Sequence, residues 1–178
     1  MAVEQFINRD IAVGLYQDNG RKVLLVSAYL DIKLEVIQDW FKRIIDYANK
    51  KKYGILLCVD SNSHSVLFGE ESNSRGEALE EFIIKHSLIV ENVGTEPTFE
   101  TMRKTGPIQT TIDVTLSRGL PSTVVDWKVH REYNGSDHNT ITFGLGVDQQ
   151  VTPELIRIWD NVDWHFFGKE MNNQTFRK

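Results

Sequence analysis

Several things are scarce or missing in this chain, and each absence removes a class. Of its 178 residues only Cys58 is a cysteine, so no internal disulfide can form and a secreted disulfide scaffold is excluded. The opening run Met1-Ala2-Val3-Glu4-Gln5 has neither a basic nor an apolar signal region, so no secretory signal is visible. No apolar run approaches the roughly 20 residues of a membrane span; the longest, around Ile55 to Val59, suits a buried strand. A basic excess is also lacking: 20 Lys+Arg stand against 25 Asp+Glu, a net charge of −5. Any meeting with nucleic acid therefore depends on a local surface rather than on the overall field. Phosphate-cradling glycine loops and Gly-x-Ser-x-Gly elbows are absent too. What remains is an ordinary globular composition, 40% hydrophobic and 25% charged, with length enough for one domain and a little more.

Along the chain, Ile11–Tyr16 and Val23–Leu30 are β-prone runs flanking Asp18-Asn19-Gly20, which predicts a hairpin with a type I′ turn. Apolar residues at three- and four-residue spacing, from Val36 and Ile37 to Ile45 and Ala48, predict a helix over 34–51, closed by Lys50, Lys51 and Lys52 at its negative end. Ile55–Val59 reads as a strand covered on both faces, with Cys58 an inert core thiol. Ser74 and Glu77 have capping-box spacing before a second helix that turns Leu79, Phe82 and Ile83 inward. Short strands follow at Thr98-Phe99, Ile112–Leu116, Val124–Val129 and Thr140–Leu145. Strands interleaved with helices define an α/β domain over 1–147. The tail over 148–178 is different: Thr152-Pro153-Glu154 starts a helix, Asp160 caps another turn, and Trp164, Phe166 and Phe167 have no partner within it.

Three polar constellations sit where predicted strands meet loops, the place where α/β enzymes gather functional groups. They are Asp60-x-Asn62, Thr111-Ile112-Asp113 and Ser136-Asp137-His138. Each alone also fits a plain use: an Asx-turn, a solvent-facing strand position, and the turn after Asn134-Gly135. Their combination and order carry the functional reading. His64 has no second ligand at zinc spacing, and His86, His130 and His165 read as structural or exposed positions.

In sequence order, Ser27-Ala28-Tyr29-Leu30, Val59-Asp60-Ser61-Asn62-Ser63-His64, Arg75-Gly76, Pro97-Thr98-Phe99, Thr111-Ile112-Asp113-Val114-Thr115 and Ser136-Asp137-His138 form a series. This series resembles the endonuclease/exonuclease/phosphatase superfamily, and within it the endonuclease domain of non-LTR (LINE-type) retrotransposon polyproteins. The likeness runs from about Asn8 to Leu145. It implies a DNase I-like four-layered α/β sandwich and a Mg²⁺- (or Mn²⁺-) dependent DNA endonuclease. The implied product is a nick with a 3′-hydroxyl that primes reverse transcription. Carried over by position, Asp60 would orient or deprotonate the attacking water, and Asn62 would hold it or a phosphate oxygen. Asp137 would lie at the metal and His138 would contact the scissile phosphate. Asp113 would orient His138, and Tyr29 would donate to a phosphate oxygen. Arg103, Lys104, Arg118 and Arg131 are candidate phosphate contacts, although for any one of them a solvated surface position is the better-supported reading.

The sequence departs from the pattern at Val59, Ser61 and Thr111, where the family carries Gly, a hydrophobic residue and Ser. The larger departure is at the N-terminus. The family's first strand, with an active-site Asn, and the strand bearing the metal-binding Glu have no counterpart, and Glu4 and Asn8 do not replace them. The expectation is a domain lacking its first strands, impaired in catalysis and prone to self-association at uncovered sheet edges. The tail, with Asp163-Trp164 and Phe167, resembles a linker toward a reverse transcriptase. An intracellular protein, nuclear when acting and not bound to a membrane, follows from the resemblance. A catalytically dead fragment with weak nucleic-acid binding, or a phosphatase of the same superfamily, are the alternatives.

Overall fold

The computed structural model describes residues 1–18, 20–120 and 122–147. Asn19 and every feature anticipated in the tail lie outside the described residues. The framework is a five-stranded mixed sheet in the order β1-β2-β3-β7-β4, comprising Ile11–Asp18, Arg21–Tyr29, Gly54–Asp60, Asp113–Arg118 and Ile89–Val90. β5 (Phe99–Arg103) pairs with β6 (Gly106–Thr110), and β8 (Ser122–His130) pairs with β9 (Thr140–Val147).

The anticipated hairpin forms with Asp18 opposite Arg21, and Gly20 takes φ 78°, a conformation that costs glycine nothing. From β2 the chain crosses through α1 (Asp39–Lys51) into β3, which runs parallel to β2. α1 starts five residues later than the apolar spacing suggests. Asp31 first makes a turn, its carboxylate accepting from Lys33 N–H and its carbonyl from Leu34 N–H, and the backbone is extended at the N-cap Gln38. Val36 is buried all the same, so its place in the apolar spacing reports the core and not the helix. The lysines end the helix as read, with Lys52 in the left-handed conformation at the C-cap. α2 (Ser74–Lys85) is capped by Asn73 rather than Ser74: its side-chain oxygen accepts from Gly76 N–H at 2.8 Å.

One face of the sheet packs on both helices. Leu24, Val26, Ile55, Leu57, Val114 and Leu116 meet Phe41, Ile44, Ile45, Leu79 and Ile83, with Phe41 stacked on Phe82 at 4.6 Å. Truncating a side chain buried as Leu57 is costs about 2–5 kcal/mol in comparable cores. The opposite face is covered less completely. Trp127 of β8 donates to Thr115 Oγ1 at 3.0 Å, while Phe143 and Leu145 of β9 stand across an apolar cavity of about 580 Å³ from Ala12, Leu25 and Cys58. β3 is therefore not sealed on both sides: Cys58 is half-buried and borders the opening, although burial still pushes its thiol pKa up, away from reactivity. The β1 edge is not bare. Val3 N–H donates to Val13 O at 2.8 Å and Leu15 N–H to Met1 O at 2.7 Å, laying the first residues along it.

Candidate active site

β3 ends at Asp60 and β7 begins at Asp113, and the antiparallel register sets the two side by side; Tyr29, at the end of β2, pairs with Asp60 from the other side. Sequence positions far apart thus become one row across the sheet, Tyr29–Asp60–Asp113. His138 reaches that row from the loop before β9. Ser136 Oγ accepts from His138 N–H at 3.0 Å, and Asn134 accepts from Ser136 N–H and donates to His138 O. Glu100 N–H donates to Asp137 O and Asn139 N–H to Thr98 O, so this loop adds on to β5. The ring of Phe99 stands edge-on to His138 with centroids 5.1 Å apart.

His138 Nδ1 lies 2.9 Å from Asp113 Oδ2, and its Nε2 lies 3.7 Å from Asp60 Oδ2. An ionised carboxylate only accepts, so the Asp113 contact places a proton on Nδ1 and leaves Nε2 facing the cleft. Burial is the largest influence on His138 and lowers its pKa. The hydrogen bond and charge of Asp113, with the charges of Asp60 and Asp137, outweigh it, and the net shift is upward. Asp60 is also raised, by burial first and then by Asp113, against the opposing pull of His138 and the Asn62 N–H. Two carboxylates and an imidazole close enough to share charge, at the rim of a cavity of about 630 Å³, are positioned to share and move a proton.

Tyr29, Asp60, Asp113, Ser136 and His138 all line this cleft. Asn62 does not: it sits in the left-handed region at φ 46° and its side-chain amide donates to Leu30 O at 3.2 Å. Asp137 is exposed and faces a neighbouring groove with Glu100, Arg131 and Tyr133. Of the basic residues, Arg103 and Lys104 are exposed at the end of the β5–β6 hairpin. Arg131 pairs with Glu96 and Glu100. Arg118 is at the far end of β7, about 17 Å from Asp113 at ~3.3 Å per residue, where it donates to His86 O and Asn49 Oδ1. That position removes Arg118 from any surface shared with the cleft.

Other contributors have roles that the sequence did not assign. Thr98 is fully buried, and its hydroxyl oxygen accepts from both Ile112 and Asp113 N–H at 3.0 Å. Asn92 donates to Asp113 O and accepts from Thr115 N–H, fixing the start of β7 from its other edge. Arg9, at the cleft mouth, is held by Asp10 at 2.9 Å. Thr98 stands in the Pro97-Thr98-Phe99 run but with no role attached, and an Asn after a strand, such as Asn92, is too common to stand out; only the fold gives them these partners.

Asp60, Asp113 and His138 offer ligand atoms within 4.8 Å of one another. Since Asp113 is engaged by His138, the oxygens free to face a cation are chiefly those of Asp60. A hard cation such as Mg²⁺, which keeps several waters and takes one or two carboxylates, fits that donor set.

The family model described as endonuclease-reverse transcriptase matches residues 23–142. The chain belongs to this endonuclease family, of the hydrolase kind, and its fold is the DNase I-like α/β architecture. Among solved structures, the endonuclease domain of TRAS1, a telomere-specific non-LTR retrotransposon, superposes with a TM-score of 0.73 at 24% identity, over 84% of this chain and 69% of that one. A mannosyl-6-phosphatase of Bacteroides thetaiotaomicron is more distant, with a TM-score of 0.49 and 14% identity over 75% of this chain and 55% of that one. No curated protein sequence gives a significant match. No helix among the described residues is long and apolar enough to cross a membrane.

Proposed function

We propose that this chain hydrolyses phosphodiester bonds of DNA, leaving a nick with a 3′-hydroxyl, and that it does so as the endonuclease part of a polyprotein that also carries a reverse transcriptase. The observation that carries this reading is the Asp60–His138–Asp113 chain, built from three separate elements at the rim of the cleft. With Nδ1 held by Asp113, the imidazolium of His138 offers its Nε2 proton to a phosphate oxygen. Asp60, its pKa raised by burial and by Asp113, is the group suited to accept a proton from the attacking water. Tyr29, beside Asp60 and 40% exposed, can donate its phenolic proton to a second phosphate oxygen. Asp60 would hold Mg²⁺, which would supply charge stabilisation on the phosphoryl oxygens. Asp137, which the resemblance puts at the metal, faces the neighbouring groove and would act on the site by its charge.

Among the described residues no glutamate lines the cleft, so the expected nicking is slow. Supercoiled plasmid incubated with Mg²⁺ tests the reading: relaxation should stop with EDTA and fall to background in His138→Ala. Relaxation that survives both, or wild-type protein that never exceeds the His138→Ala background, overturns it. Self-association belongs to the same reading, because β9 pairs only with β8 among the described residues. Sedimentation over a range of concentrations reports it.

A further inference from the structure

The loop that follows Asp60 is tied to the segment leaving β2 by one guanidinium that makes four contacts. Arg75, in the first turn of α2, donates Nε to Asn62 O at 3.1 Å and Nη2 to both Leu30 O and Ser61 O at 3.3 Å; Nη1 reaches Leu34 O. Every one of these acceptors is a backbone carbonyl, and among the described residues no carboxylate pairs with Arg75. The guanidinium is thus committed to the backbone of two segments, the one leaving β2 after Tyr29 and the one leaving β3 after Asp60. Its planar fork suits several acceptors at fixed angles, which a lysine cannot match.

Two neighbours show what the contact holds in place. Asn62 adopts φ 46°, a conformation non-glycine residues enter at a cost, and its side chain adds a further bond to Leu30 O. Gly76, the residue after Arg75, has no room for a side chain: a Cβ there would lie 1.6 Å from His64 O. The start of α2 therefore packs flush against the loop backbone, and the Arg75 fork closes over its other end. Ser61, fully buried, completes the arrangement by donating its hydroxyl to Ile112 O, beside Asp113.

Resting on the nuclease reading, we infer that Arg75 is a positioning residue: its guanidinium fixes the 60–64 loop against β2, and so sets the Tyr29 and Asp60 side chains relative to His138. It touches no reacting group. Its effect on the reaction passes through the backbone alone.

Hydrogen exchange and nicking, measured on the full chain, test this together. In Arg75→Ala the amides of Ser61, Asn62 and Ser63 should exchange at least about tenfold faster, while those of β3 and α1 stay slow. The nicking rate should fall by roughly ten- to a hundredfold, the scale expected when reacting groups are displaced by about an ångström. Added guanidinium ion should recover part of that rate, as it would not for a general loss of stability. Arg75→Lys should lie between, and it serves as the main variant if Arg75→Ala fails to fold. Unchanged loop exchange in a folded variant overturns the inference whatever the activity. So does a wild type that nicks alongside an Arg75 variant that nicks equally fast. A wild type that does not nick refutes the proposed reaction, and the loop-fixing role is then decided by exchange alone.

Discussion

His138 is the residue at which burial and charge disagree, and the disagreement has a measurable sign. Burial works to lower its pKa while Asp113, Asp60 and Asp137 raise it, and the raised value prevails. A histidine raised on folding contributes stability that is complete below its unfolded value of about 6.5 and is lost as pH climbs through the folded value. Urea unfolding in EDTA should therefore show stability falling as pH rises above about 6.5, with a flatter profile in Asp113→Asn. An NMR titration of the same variant should place the His138 midpoint lower than in the wild type. An unchanged midpoint would mean that the 2.9 Å contact does not persist in solution. Asp60 acts in the acid range with a consequence of the same sign. Its raised pKa means the folded state takes up a proton more readily, so this group's contribution declines as pH rises from about 3.8 through its folded value.

For the elements, helix ends are where short-range signals and tertiary structure part company. Both Asn73 and Ser74 are good capping types, and sequence spacing favoured Ser74 through Glu77. Asn73 takes the position because its side-chain oxygen faces Gly76 N–H while its backbone meets the His64 loop. Asn73→Ala should cost about 1 kcal/mol in a urea titration, the usual value of such a cap; a loss below a few tenths would count against it. The strands β2, β3, β7, β8 and β9 were legible because they are apolar or alternate cleanly. The β5–β6 hairpin was only half-seen: β6 is short, half-exposed and contains Gly106 and Pro107, so no periodicity marks it. Of the site, Asp60, Asp113 and His138 were legible as polar residues at strand ends. The turning of Asn62 toward Leu30 and of Asp137 toward the neighbouring groove was not, because side-chain direction there depends on segments distant in sequence.

At the scale of the molecule, the sheet has one closed face and one open. The helices seal the first, whereas the second faces β9 across an apolar space bordered by Leu25, Leu56, Phe143 and Leu145. Exposed apolar surface of this kind binds environment-sensitive dyes without any unfolding. Native protein should enhance the fluorescence of an anilinonaphthalene probe, and Phe143→Asp should reduce the signal while leaving the helix content by circular dichroism unchanged. No enhancement by the folded wild type would mean that the space is closed in solution.

The row formed by Tyr29, Asp60 and Asp113 also bears on how the chain selects its own pairing. Val59 and Val114, one step along from the two aspartates, face the helices and are buried. A slip of one residue in either strand would send a carboxylate into that oily layer and a valine into the cleft, an exchange heavily penalised by desolvation. The acidic residues therefore serve as alignment marks, rejecting misregistered sheets during folding. Replacing them with neutral residues would remove a proofreading signal as well as the chemistry.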